Sequence, residues 1–161
     1  MEPCRLHSGL IYLVVAKLNR GSMTIDGLDD NTIHDILTMT TRIALVGASK
    51  NPDRPSNKVM LHLLRRGYDV TPVNPILAGQ KLHGRIVVAS LRDALPLEMI
   101  DLFRAPSKVS QPVHDAIRLG AKTIWMQLGV IDTETAAFAR QAGLIVVMDR
   151  CPLIEIARLR I

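Results

Sequence analysis

Apolar residues recur along this chain in two rhythms, short unbroken runs and longer stretches spaced by three or four positions. The first spaced stretch puts Ile33, Ile36 and Leu37 on one face. Asp29 or Asp30 suits its cap, and the pattern predicts a helix over roughly 33–39. The run from Arg42 to Gly47 is too brief for a helix and apolar on both faces, as a buried parallel strand is. Asn51-Pro52-Asp53-Arg54-Pro55 is loop by composition. Ser56 is expected to cap a helix reaching Arg66, with Val59, Met60, Leu63 and Leu64 as its stripe and Gly67 as its stop.

The unit then repeats in outline. Strands are predicted at 69–73, 99–103, 122–127 and 144–148. A short helix is predicted at 91–95, a longer one opens at Ser107 and carries Val109, Val113, Ile117 and Leu119, a third follows the Asp132 cap over 133–142, and a last one begins near Pro152. Strands alternating with helices at this spacing imply βαβ units and a parallel sheet. Right-handed crossovers place helices on both of its faces. The fold class is α/β, a doubly wound parallel sheet of about five strands in one domain over 23–161.

Ligands of such sheets bind beyond the carboxyl ends of the strands, where strand order reverses. Gly47-Ala48-Ser49 directly follows the first strand, and the helix behind it offers free N–H groups and a positive dipole end to a phosphate. Gly47 would let the backbone approach a ligand, Ser49 and Ser56 offer hydroxyls, and Lys50, Arg54 and Lys58 add positive charge. Taken alone the string is equally a tight turn. The dinucleotide fingerprint G-x-G-x-x-G is absent, because Ala48 and Ser49 follow the first glycine. A dehydrogenase also needs an acid at the end of its second strand, and here Val73-Asn74-Pro75 stands there while Asp69 lies at the opposite end. NAD is disfavoured.

Composition narrows the choice. Aromatics make up only 3% of the 161 residues, so stacking platforms for single-stranded nucleic acid are lacking. Lys and Arg outnumber Asp and Glu by 20 to 15, an excess that suits a phosphate ligand but is too scattered for a nucleic-acid stripe. Cys4 and Cys151 lie at opposite ends without metal-ligand spacing, which argues against a disulfide framework and makes a reduced cytoplasmic setting the default. No run approaches the roughly 18 apolar residues of a membrane span. Residues 1–22 hold a short apolar stretch, 9–16, behind Arg5, but lack a signal-peptide cleavage pattern. Gly21-Ser22-Met23 reads as a cloning remnant or as a later natural start, and residues 1–22 are expected to be dispensable for the fold.

Four blocks in order carry a resemblance: IALVGASKNPDRPSNKVM from Ile43, GYDVTPVNP from Gly67, AKTIWMQLGV from Ala121 and AGLIVVMDRCP from Ala142. Together they resemble the stand-alone CoA-binding domain proteins, the YccU-like family, similar to the nucleotide-binding domain of the succinyl-CoA synthetase alpha subunit. The resemblance implies a Rossmann-like domain that holds coenzyme A, or an acyl-CoA, on the loop after the first strand. Carried onto this chain, the contacts would be Gly47, Ala48, Ser49, Lys50, Asn51 and Pro52, with Ser56 at the helix start. Val73, Asn74 and Pro75 would flank the adenosine, Met126, Gln127 and Leu128 would form the other wall, and Arg104 and Pro106 would be neighbours. Members often read Val-Asn-Pro-Lys; here Ile76 takes the lysine's place, with Lys81 or Arg85 as substitutes.

No catalytic constellation emerges. The phosphohistidine of the synthetase belongs to a second domain. His34, His62, His83 and His114 read as ordinary histidines, and Glu134 and Glu155 as solvated helix residues. Trp125 and Met126 read equally as core or ligand wall. Cys151 reads as a small buried residue; beside Arg150 and a helix start, a reactive thiolate is the alternative. The expected function is a non-catalytic CoA-binding module. Its rivals are a CoA-linked redox or acyl-transfer protein using Cys151, an NAD-binding regulatory domain, and a pure interaction protein.

Overall fold

A computed structural model of the chain describes residues 24–161; the expectation for residues 1–22, and Cys4 with it, lies outside the described residues. The elements in order are α1 (Asp30–Met39), β1 (Arg42–Val46), α2 (Pro55–Arg65), β2 (Asp69–Val73), β3 (Lys81–Leu82), β4 (Arg85–Ile86), β5 (Met99–Leu102), α3 (Ser110–Arg118), β6 (Thr123–Met126), α4 (Thr133–Gln141), β7 (Ile145–Val147) and α5 (Pro152–Leu159). Five strands make one parallel sheet in the order β2-β1-β5-β6-β7. The chain leaves β1 toward β2 and then returns across it to β5, so strand order reverses between β1 and β5. A crevice opens at that point, past the carboxyl ends.

Strand alternation divides the core into two layers. Ala44, Val46, Ile100, Leu102, Ile124 and Met126 pack against Val113 and Ala116 of α3 and Ala136 and Ala139 of α4. Ile43, Leu45, Met99, Trp125 and Val147 pack against α1, α2 and α5, through Ile33, Leu37, Met60, Leu63 and Ile156. Trp125 is core, its indole N–H donating to the Arg150 carbonyl at 2.8 Å. Asp29 and Asp132 cap α1 and α4, accepting from the amides of Thr32 and Thr135.

Three local expectations change. Ser56 does not cap α2: Arg54 holds that position with no side-chain bond, and Pro55, its φ preset for a helix, starts the first turn. The helix expected at Ser107 begins as a 3-10 turn over Pro106–Lys108, and α3 proper starts at Ser110 because Val109 is drawn fully into the core. The 91–95 helix is likewise a 3-10 turn, Leu91–Ala94.

The β3–β4 hairpin was not legible, since each strand has two residues and its turn, His83-Gly84, lacks the usual Asn-Gly signal. Both turn residues have positive φ, 48° and 80°. Among the described residues, no helix is long and apolar enough to cross a membrane, and no cluster of His, Cys, Asp or Glu suits a metal ion.

Candidate functional site

The chain leaves β1 through Gly47, whose φ is 89°. A Cβ there would lie 2.3 Å from the carbonyl oxygen of Phe103. The absent side chain thus makes room for the end of β5, while the residue also lines the cleft above the loop. The amides of Gly47 and Ala48 both donate to the Val73 carbonyl, at 3.1 and 3.3 Å, tying the loop to the end of β2. Asn74 adds a second tie. Its Nδ2 donates to the Ala48 carbonyl at 2.8 Å and its Oδ1 accepts from the Ile76 amide at 2.9 Å.

The rest of the loop is held from within and from both sides. Ser49 Oγ accepts from the Asn51 amide at 3.2 Å, and Asn51 Oδ1 from the Asp53 amide at 2.9 Å, two short side-chain turns. From α2, buried Asn57 donates through Nδ2 to the Ser49 carbonyl at 2.8 Å. Its Oδ1 then accepts from His83 Nε2 at 2.9 Å, so the ring carries its proton on that nitrogen. Lys50 Nζ donates to Gln80 Oε1 at 2.9 Å. Among the described residues the backbone amides of Ser49, Lys50 and Ser56 make no hydrogen bond. The loop is thus preorganised, with several donors left unused.

Above it lies a cleft of about 760 Å³, the size range of small-molecule and cofactor sites. Its cations are Lys50, Arg54 and Arg104, and no carboxylate lines it. A smaller lobe of about 410 Å³ shares Gly47 and Arg104 with it and is bounded by Val73, Pro75, Lys108 and Asp115.

Of the residues predicted from sequence, the main cleft gathers Gly47, Ala48, Ser49, Lys50, Asn51, Ser56, Asn74, Arg104, Gln127 and Leu128. Val73 and Pro75 line the smaller lobe. Pro52 and Pro106 line neither, and Met126 is fully buried in the layer facing α3 and α4. Phe103 and Val130, in strand-end segments expected on the ligand side, also line it, together with Leu77 and Val59, which the sequence placed in a loop and in a core stripe.

Ile76 is 87% exposed at the rim. Arg85 does not replace the missing lysine: it binds Asp69 at 2.7 Å, at the amino end of β2, far from the cleft. Lys81 does not line the cleft either.

Cys151 is buried, as its reading as a small buried residue expects. This residue lines the cleft at the N-cap of α5, but Arg150 turns away to Asp26 and Glu155 and lends the thiol no positive charge. Burial pushes the Cys151 thiol up; the amides of Ile154 and Leu153 pull the other way, and negative Asp101 and Glu155 add to the rise. The rise and the turned-away arginine favour the buried reading over the thiolate alternative. Glu155, expected in solvent, is buried and paired with Arg150 and Arg158. None of His34, His62, His83 and His114 lines the cleft.

A family model described as a CoA binding domain matches residues 41–157. The chain belongs to the CoA-binding domain family. It is similar to the protein YneT of Bacillus subtilis (strain 168), 31% identical over 120 residues that make up 74% of this chain and 87% of the other. Among solved structures, a hypothetical protein from Pyrococcus horikoshii OT3 shares 42% identity with a TM-score of 0.82, covering 88% of this chain and 99% of its own. A protein from Thermus thermophilus, "cell-free ID.343", shares 36% identity with a TM-score of 0.78, covering 82% and 99%. The family match spans the whole cleft lining, from Gly47 to Cys151.

Because both polar ends of Asn74 are bonded, Asn74→Ala is expected to lower stability by about 1–2 kcal/mol even without ligand, as two polar partners lose their bonds. Urea denaturation measures it, and an unchanged midpoint would remove Asn74 from the scaffold. Asn74→Asp would set a carboxylate oxygen against the Ala48 carbonyl, so it perturbs the loop as well as any ligand.

Proposed function

We propose that the cleft binds coenzyme A or an acyl-CoA and that the chain itself catalyses no reaction. The observation that carries this reading is the cleft's charge: Lys50, Arg54 and Arg104 surround it, no carboxylate lines it, and three loop and helix amides are unused. That arrangement fits a ligand rich in phosphate. The residues that would hold the phosphates are Ser49, Lys50, Arg54 and Ser56. Val73 and Pro75 in the smaller lobe suit the adenosine, while the apolar run past Phe103 to Gln127 and Cys151 suits the pantetheine arm. Binding tightens because the loop is already ordered and loses little freedom on association.

The non-catalytic reading has two supports. Among the described residues no serine or cysteine lining the cleft is hydrogen-bonded to a base, and burial pushes the Cys151 thiol away from its reactive form. NAD remains the lesser reading, because Asn74 is committed to backbone groups and supplies no acid for a ribose diol.

A ligand that binds only the folded state stabilises it by about 2.7 kcal/mol at 100 times its dissociation constant. A thermal melt with CoA near millimolar concentration is expected to rise accordingly, and Ser49→Trp, which fills the loop, to abolish the rise. Absence of any shift with CoA, acetyl-CoA and 3′-dephospho-CoA would overturn the reading. A larger shift with NAD than with CoA would transfer the site to a dinucleotide.

A further inference from the structure

Asp101 is the penultimate residue of β5, with Leu45 and Trp125 as its register partners, and it is completely buried. Alternation points it into the layer of α1, α2 and α5, where Val59, Met60 and Leu63 are apolar and Cys151, at the N-cap of α5, is a titratable neighbour. Among the described residues no cation pairs with it; Arg150 is bonded to Asp26 and Glu155. One carboxyl oxygen accepts from Gln127 Nε2 at 2.6 Å; the other has no partner among the described residues. A half-satisfied acid inside an apolar layer weakens a fold, so its place under the cleft calls for a role other than stability.

Gln127 supplies that role, because it lines the cleft while bonding to Asp101. An ionised Asp101 accepts only, so it takes the amide NH₂ and leaves the Gln127 carbonyl toward the cleft. A protonated Asp101 donates its O–H to that carbonyl instead, turning the NH₂ outward. The observed contact, with Nε2 donating to Asp101 Oδ1 at 2.6 Å, is the arrangement of the ionised form. Burial lifts the Asp101 carboxyl to about 7, against the pull of Gln127, so both forms are populated near neutrality.

We propose that Asp101 and Gln127 form a specificity-determining pair, whose ionised form presents an acceptor to the free thiol of CoA and whose protonated form presents a donor to the carbonyl of a thioester. The proposal rests on the reading of the cleft as a CoA site and adds how that site discriminates the acyl state. Protonation is the variable, so relative affinity for acyl-CoA falls as pH rises through the Asp101 transition.

Calorimetric titration of the whole protein with CoA and with acetyl-CoA, at about pH 6 and about pH 8, tests it. The phosphates titrate identically in both ligands and cancel in the ratio, and a thiol with a pKa of about 8.5 is mostly protonated at both pH values. The ratio of the acetyl-CoA to the CoA dissociation constant is expected to rise about tenfold between the two pH values, the size of one hydrogen bond exchanged. Asp101→Asn, which cannot titrate, is expected to flatten the ratio. Independently, the side-chain ¹⁵N signal of Gln127 in the wild type is expected to move with a midpoint near neutrality, a readout that stands even if the variant does not fold. Tight binding of both ligands with a pH-independent ratio overturns this proposal alone, as does a Gln127 signal that does not titrate. Failure of both ligands to bind at either pH overturns it together with the CoA reading.

Discussion

Arg150→Ala is expected to lower the stability of the fold by about 3–5 kcal/mol, the cost of leaving buried charge unpaired. The guanidinium donates through Nε and Nη2 to the two carboxylate oxygens of Asp26, at 2.8 and 3.0 Å. It also reaches Glu155 Oε2 at 3.3 Å and the Leu28 carbonyl at 2.9 Å. The arginine thereby ties the segment before α1 to the end of β7 and to α5. Removing it strands the fully buried Asp26 carboxylate, and Glu155 keeps only Arg158. Urea denaturation at neutral pH measures the loss; a variant as stable as wild type would mean the network contributes nothing.

The pH dependence follows from the same contacts. Burial by itself would raise the Asp26 carboxyl, but Arg150 and the amides of Leu28 and Met148 hold it below its ordinary value of 3.8. A carboxylate depressed in the folded state contributes stability that is complete above the unfolded value and lost as pH falls through the folded one. Asp26→Asn is therefore expected to be clearly weaker than wild type at neutral pH, and the gap to narrow below about pH 4.

Gly47→Ala is expected to cost about 3–5 kcal/mol, from a strained positive φ together with a steric overlap. Its new Cβ would sit 2.3 Å from a backbone oxygen of Phe103, which cannot rotate away as a side chain can. Relief requires β1 and β5 to separate at their carboxyl ends, under the cleft. CoA affinity is expected to fall as well, because the loop that follows is anchored on those ends. Gly143→Ala is the control: its φ is the same 89°, but nothing lies within 4 Å of the added carbon. Gly143→Ala is expected to lose only about 1–2 kcal/mol, the conformational part. Equal losses at the two positions in chemical denaturation would show that the contact with Phe103 is unimportant.

Much of the candidate site was legible because its residues are consecutive. Ser49, Lys50 and Asn51 follow a strand and precede a helix, so their position at a sheet edge could be argued from local pattern alone. Gln127 and Leu128 were reached by the same rule at the end of another strand. Met126, one residue earlier, shows the limit. Strand alternation sends it into the layer facing α3 and α4, and which face each parity would meet was undecided before the sheet was assembled. Leu77 and Val59 looked like loop and core stripe, and became lining only through the neighbours that surround them.

What the amino-acid sequence determined by itself was the class of fold and the succession of its elements, because helix stripes, unbroken strand runs and Asp caps at 29 and 132 are interactions among near neighbours. Tertiary structure decided the matters that depend on distant partners. Asp26 and Arg150, separated by 124 positions, meet only when β7 and α5 are in place. The carbonyl that makes Gly47 obligatory comes from β5, across the reversal of strand order. The burial of Asp101 with Gln127 as its partner is a property of the assembled layer, which joins the end of β5 to the end of β6. No local pattern records such a contact, since the free energy of a buried polar group depends on which partner the folded chain brings to it.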